Sequence, residues 1–147
     1  MNRDRSGQRA PFTVRVLAGR LLGTRAGNMH LRSDWADFRR QIHLIVRDSA
    51  TPLVACTDLR GIHELPEEVH GLLVSGMREL NPWIDRSAIL LPSTTLGLTV
   101  DRLLRAARSE ARQTFRHSAD VKAWLSSCLS PVERLHLDAF LGGTGGP

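Results

Sequence analysis

Asp58, Arg60 and His63 follow one short apolar run, Leu53 to Cys56, and Ser93, Thr94 and Thr95 follow another, Ala88 to Leu91. Both runs read as buried strands. In open α/β sheets, ligands gather outside the carboxyl ends of the parallel strands. These six residues are therefore the candidate strand-end site. A helix starting after Thr95 would add backbone N–H groups suited to an anion or to an acidic group of a partner. The competing reading is that Asp58 and Thr94 cap loops and helix ends, the usual work of these residue types, and it weighs more.

An Asp, a His and a Ser could also make a nucleophilic triad. The flanks tell against it. Ser75 sits in Val74-Ser75-Gly76, which is not the Gly-x-Ser-x-Gly elbow of that chemistry. No glycine-rich loop ending in Lys-Ser or Lys-Thr is present for nucleotide phosphates. The histidines His30, His43, His63, His70, His117 and His136 are scattered, without His-Glu-x-x-His or Cys-x-x-Cys spacing. Arg15 and Gly19 flank the first strand, where a receiver domain needs acidic residues. Cys56 and Cys128 read as small core hydrophobes. The sequence thus points to no catalytic residue, no metal and no cofactor, and the chain is not expected to be an enzyme.

The other candidate is a surface. Arg102, Arg105, Arg108 and Arg112 recur at helical spacing opposite Leu103, Leu104 and Ala107, with Arg116 just beyond. Asp101 and Glu110 offset only part of that charge. A one-sided stripe of this kind is either a solvated face or a docking surface for an acidic protein. Nucleic acid fits less well, despite a net charge of +5 and a pI of 10.8. Lys122 is the only Lys among 20 basic residues, so the bias looks compositional, and Arg inflates the pI because an ordinary guanidinium stays charged throughout the usual pH range. There is no Tyr, and most of the Phe and Trp residues sit at core spacings.

The elements that would carry these residues follow from periodicity. Phe12, Val14 and Val16 alternate with Thr13 and Arg15, which predicts a half-buried strand from Phe12 to Leu17. Leu21 and Leu22 predict a second, shorter strand, ended by a loop from Gly23 to Asn28. Ser33 is the expected N-cap of a helix bearing Trp35, Phe38, Ile42, Ile45 and Val46, stopped before Pro52. Pro66 suits a first helical position ahead of Val69, Leu72, Leu73, Gly76, Met77 and Leu80. This is the cleanest amphipathic face, and burial against the sheet is expected for its apolar members, with Gly76 allowing close approach.

The third helix carries Leu96, Val100, Leu103, Leu104, Ala107 and Ala111, and a short strand lies at 113–115. Ser118 should cap a helix with Val121, Trp124 and Leu125. Ser130-Pro131-Val132-Glu133 is a capping box that opens a last helix, with Gly142 as its stop. The order β-β-α-β-α-β-α-β-α-α predicts an α/β fold with a small, mainly parallel or mixed sheet of about five strands. One domain over 12–141 is expected, with a disordered lead at 1–11 and a flexible tail at 142–147. No apolar run approaches the roughly 20 residues of a membrane span. The polar N-terminus has no signal-peptide core, so a cytoplasmic location is expected. Oligomeric state is not legible.

This order resembles the STAS-like family: domains of sulfate transporters and anti-sigma-factor antagonists, and their bacterial relatives. The resemblance spans Phe12 to Leu129. It rests on Thr57-Asp58-Leu59-Arg60, on the Val69–Leu80 helix, and on Arg86-Ser87-Ala88-Ile89-Leu90-Leu91. It rests also on Arg112-Gln113-Thr114-Phe115 ahead of Ala123-Trp124-Leu125. What it implies is a non-catalytic, regulatory protein-interaction module, switched by phosphorylation of a Ser just after the Asp-ended strand. In this chain 58–66 hold no Ser or Thr, and Glu64 and Glu67 occupy that region, so the usual switch is not expected there. Phosphorylation is expected elsewhere if at all, first at Ser93, Thr94 or Thr95. The alternative is a small-molecule or lipid-binding α/β domain with a cavity under the sheet, for which no Phe- or Met-rich helix pair speaks.

Overall fold

A computed structural model describes residues 10–27 and 29–145. The chain opens as a hairpin of β1 (Phe12–Ala18) and β2 (Leu21–Ala26), paired antiparallel. Gly19 makes the turn with φ of 51°, a conformation that Gly adopts without steric cost. The register shifts between Val16 and Ala18. The extra residue of this bulge is Leu17, which packs beneath the sheet. Val16 keeps its expected alternation, in register with Leu22, but is exposed on this edge strand instead of half-buried. β2 also runs on through Gly23 to Ala26, where a loop was expected. Gly23 stays in the strand because Leu17 covers it: a Cβ there would lie 2.7 Å from Leu17 Cδ1.

After β2 the chain alternates. Helix α1 (Arg32–Arg47) is followed by β3 (Leu53–Asp58), then a short turn at Glu67–Val69 leads into α2 (His70–Leu80). Strand β4 (Ile84–Leu90), α3 (Thr94–Ala106) and β5 (Arg112–Phe115) come next, then α4 (Ser118–Leu125) and α5 (Pro131–Gly145). The sheet order is β1-β2-β3-β4-β5, with every pair parallel except the first. The fold is thus α/β with a five-stranded mixed sheet, as the sequence predicts.

Because successive parallel strands step in one direction, right-handed crossovers put α1, α2 and α3 on one face. Helices α4 and α5 cover the other. Alternation along the central strands feeds both layers. Val54 and Cys56 of β3, with Ala88 and Leu90 of β4, pack with Val121, Leu125, Leu137 and Phe140. Leu53 and Ala55 pack with Val46 and Leu80 on the other side, where Ile89 meets Trp35, Phe38 and Val100. Leu53, Val54, Ile89 and Leu90 are all buried, as expected for strands covered on both faces.

Helix ends differ from expectation in ways that matter below. Leu31, not Ser33, is the N-cap of α1, because the Asp34 carboxylate reaches back to accept from the backbone N–H groups of His30 and Leu31. Pro66 precedes the Glu67–Val69 turn, and α2 itself starts at His70. His117 rather than Ser118 is the N-cap of α4. Helix α3 stops at Ala106 instead of reaching Ala111. Arg108 then takes φ of 55°, a left-handed residue that turns the chain toward β5. The Ser130–Glu133 capping box forms as read: Glu133 N–H donates to Ser130 Oγ at 3.1 Å, and Ser130 N–H to Glu133 Oε1 at 2.8 Å. Gly142 does not end α5, which continues to Gly145; Gly142 does not take the left-handed conformation that would stop it. The expected lead at 1–9 and the tail at 146–147 lie outside the described residues. No helix among the described residues is long and apolar enough to cross a membrane.

Candidate functional site

The strand-end residues do not form one site. Asp58, at the end of β3, is only 1% exposed and is held by two guanidinium groups. Arg60 Nε donates to its Oδ1 at 3.1 Å and Arg60 Nη2 to its Oδ2 at 3.1 Å, while Arg25 Nε donates to Oδ2 at 3.2 Å. The same arginines reach α5. Arg25 Nη2 donates to the Phe140 carbonyl at 2.7 Å and Arg60 Nη2 to that of Leu141 at 3.2 Å. The Arg25 guanidinium also stacks 4.1 Å above the Phe140 ring. Carbonyls near a helix C-terminus attract cations. This cluster therefore clamps α5 onto the ends of β2 and β3. Burial pushes the Asp58 carboxyl up, but hydrogen bonds and charge from Arg60, joined by Arg25, outweigh it and hold it below the usual range. Its oxygens are occupied by these bonds, so Asp58 and Arg60 act as a structural staple.

His63 is exposed, away from that staple's bonds. Ser93 is the N-cap of α3, its Oγ accepting from Leu96 N–H at 3.2 Å. Thr94 lines an open cleft of about 350 Å³ with Asp101, Thr114, Arg116, His117 and Asp120. Thr95 is exposed on the first turn of α3. Ser93, not the expected Thr94, is thus the cap of α3, while Asp58 does cap its loop, its Oδ1 accepting from Arg60 N–H at 3.0 Å.

The Arg stripe is broken by the early end of α3. Arg102 and Arg105 are exposed on the helix, and Arg108 is exposed on the turn beyond it. Arg112 is not on that surface at all. It opens β5, beside Ser87 of β4 in register, and its side chain turns under α2. There Nη2 donates to the Met77 carbonyl at a long 3.4 Å, and Nε is buried with no partner. No carboxylate of the described residues lies within ion-pair distance of it. Burial pulls its pKa down to about 10.

Arg112 instead forms part of the wall of a cavity of about 130 Å³ beneath the sheet. The cavity lies among α1, α2, α3 and the facing strands, and its wall is mostly apolar: Phe38, Ile42, Leu73, Met77, Leu80 and Leu103 are representative. The wall explains a departure from expectation on α2. Val69 is fully buried, but Leu72, Leu73 and Met77 are only half-buried, because they face this space rather than closing on the sheet. Gly76 meets α1 instead of the sheet: a Cβ there would lie 2.9 Å from Arg39 Nε. Arg39 Nη2 and His43 Nε2 both reach Glu79 Oε1, at 2.9 and 3.0 Å, tying α1 to α2 beside the cavity.

No protein-family model, no curated protein and no solved structure matches the chain. The site must therefore be judged on its geometry. Among the described residues three buried side-chain N–H groups have no hydrogen-bond partner: Trp35 Nε1, Arg39 Nε and Arg112 Nε. All three residues line the cavity. The Thr24 and Thr57 hydroxyls are in the same wall, but they satisfy each other at 2.9 Å. Sequence reasoning missed this site because its residues come from seven separate elements, β2, α1, β3, α2, β4, α3 and β5. The one local signal was Arg112 itself, a charged residue opening a short strand rather than closing a helix.

Proposed function

We propose that the chain is a non-catalytic α/β module of the cytoplasm that binds a small molecule in the cavity beneath its sheet. The observation that carries this reading is an apolar cavity whose wall includes the guanidinium of Arg112, which has no carboxylate partner among the described residues and only one long hydrogen bond. Buried charges are ordinarily paired. A guanidinium left without a counter-ion is a standing cost that a ligand with acceptor atoms would relieve. Pockets that bind small molecules combine an apolar lining with a few convergent polar groups, as here.

Thermal unfolding with a panel of one-ring and two-ring compounds tests the reading. A ligand present at 100 times its Kd stabilises the native state by about 2.7 kcal/mol. We expect at least one compound to raise the Tm, and the cavity-filling variant Leu73→Trp to lose that response while still folding. A panel without effect on the wild type would dispose of the cavity as a binding site.

A second reading, the STAS-like interaction module with an acidic protein partner, is supported by the exposure of Arg102, Arg105 and Arg108 at the end of α3. Reversing Arg105 and Arg108 to Glu should change stability little, since exposed substitutions usually stay within about 0.5 kcal/mol. The same change should sharply weaken capture of a partner, with the wild-type interaction itself fading as salt rises. Equal capture by both proteins would remove this reading.

A further inference from the structure

We propose that the ligand of the cavity is a small aromatic monocarboxylate of about the size of benzoate, its carboxylate held by Arg112 and its ring enclosed by α1 and α2. This rests on the reading of the cavity as a binding site and adds the chemical class of the occupant.

Three observations lead to it. The first is size. A cavity of about 130 Å³ is below the roughly 300–1,000 Å³ of sites for drug-sized ligands. It is close to the roughly 150 Å³ that accepts benzene when lined by Leu, Ile and Phe. A single ring fits this space and an extended lipid chain does not.

The second is charge. Arg112 brings a guanidinium to the amino end of the strands, next to its register partner Ser87. The Arg112 side chain holds one long hydrogen bond and one orphan N–H. A buried charge without a partner is strongly unfavourable, and proteins ordinarily pair it. The planar fork of Arg matches a carboxylate better than any other anion of this size, through two parallel N–H···O bonds. Arg112 thus lacks a counter-ion among the described residues, and one carboxylate would supply it.

The third is the opposite end of the space. Trp35 is 2% exposed, its ring lies edge-on to Phe38 with centroids 6.1 Å apart, and its indole N–H is unpartnered. An aromatic ring enclosed near these two would find edge and face partners, each such pair adding about 0.5–1.5 kcal/mol beyond its buried area.

Isothermal titration calorimetry with benzoate and with benzyl alcohol, its uncharged counterpart, separates the possibilities. We expect benzoate to bind the wild type at least tenfold more tightly than benzyl alcohol. In Arg112→Met the order should reverse, with benzyl alcohol retained and benzoate lost. If Arg112→Met does not fold, the wild-type preference decides by itself, with Arg112→Lys as the folded control expected to bind benzoate more weakly than Arg112 does. Equal binding of both compounds would overturn the carboxylate assignment and leave the cavity reading standing. Binding of neither compound would overturn the assignment as well, and a flat thermal-shift panel would then take the cavity reading with it.

Discussion

Replacing Arg112 by Met should make the unliganded protein more stable. Burial that pulls its pKa down to about 10 disfavours the charged form in the folded state by a few kcal/mol, at about 1.4 kcal/mol per unit. Met keeps a stem of similar length against α2, so packing is largely retained. The substitution gives up the 3.4 Å bond to the Met77 carbonyl, and a hydrogen bond is worth about 0.5–1.5 kcal/mol net. The balance is a gain of about 2 kcal/mol. For a chain of this size that is a Tm rise of roughly 4–8 °C.

The sign with pH is fixed by where the proton is lost. Below about 10 the guanidinium is charged in both states, so the full penalty is present at neutral pH. Above about 10 the unfolded chain, whose guanidinium keeps its ordinary higher pKa, binds more protons, so the wild type recovers stability as pH rises. The advantage of Arg112→Met should therefore be flat from about pH 6 to about pH 9 and shrink above that. Urea unfolding of both proteins across this range measures it. A variant less stable than wild type by 1 kcal/mol or more would show, by an effect of about fivefold in the folding constant, that the guanidinium is well paired in the native state and that the cavity wall is misread.

Asp58→Asn should cost about 3 kcal/mol by leaving two arginines without their shared carboxylate. The Asp58 pKa is depressed on folding, so its stabilisation is present above the ordinary value of 3.8 and fades as pH falls through the lower folded value. Acid unfolding should accordingly be less steep in the variant. Cys56 is fully buried, and burial together with the Asp58 charge pushes its thiol up to about 12. A thiol reagent followed by mass spectrometry should modify Cys128 in the native protein well before Cys56, and equal rates would show that the β3 layer opens freely. Gly23→Ala should destabilise by about 1–3 kcal/mol, because overpacking a filled site displaces a neighbour, here Leu17. A neutral result in urea unfolding would mean that the β1 bulge yields without cost.

The elements were legible because period and punctuation agree. The 3.6-residue spacing of Trp35, Phe38, Ile42 and Val46, or the capping box at Ser130, needs no tertiary information. Strand β2 was cut short because Gly23 reads as a break, while the Leu17 side chain that fills its place arrives from the neighbouring strand through a bulge. Helix α3 was drawn too long because Ala107 and Ala111 sustain its apolar spacing, and the left-handed turn at Arg108 carries no Gly to announce it. That overextension put Arg112 on the wrong surface. The cavity was illegible for a related reason. Leu72, Leu73 and Met77 show the same periodicity whether their helix closes on the sheet or stands off from it. Asp58 was found as a special residue, but its partner Arg25, and Phe140 whose carbonyl accepts from Arg25, lie far away in the chain, so its role in holding α5 could not be read locally.

The indole N–H signals of Trp35, Trp83 and Trp124 in two-dimensional NMR give the most direct test of the cavity as a ligand site. Trp35 faces the cavity, Trp83 is half exposed outside it, and Trp124 packs on Phe115 on the opposite side of the sheet. Titration with benzoate should move the Trp35 signal saturably while the other two stay in place. A Trp35 signal that holds still, or three signals that drift together without saturation, would contradict a ligand site beneath the sheet.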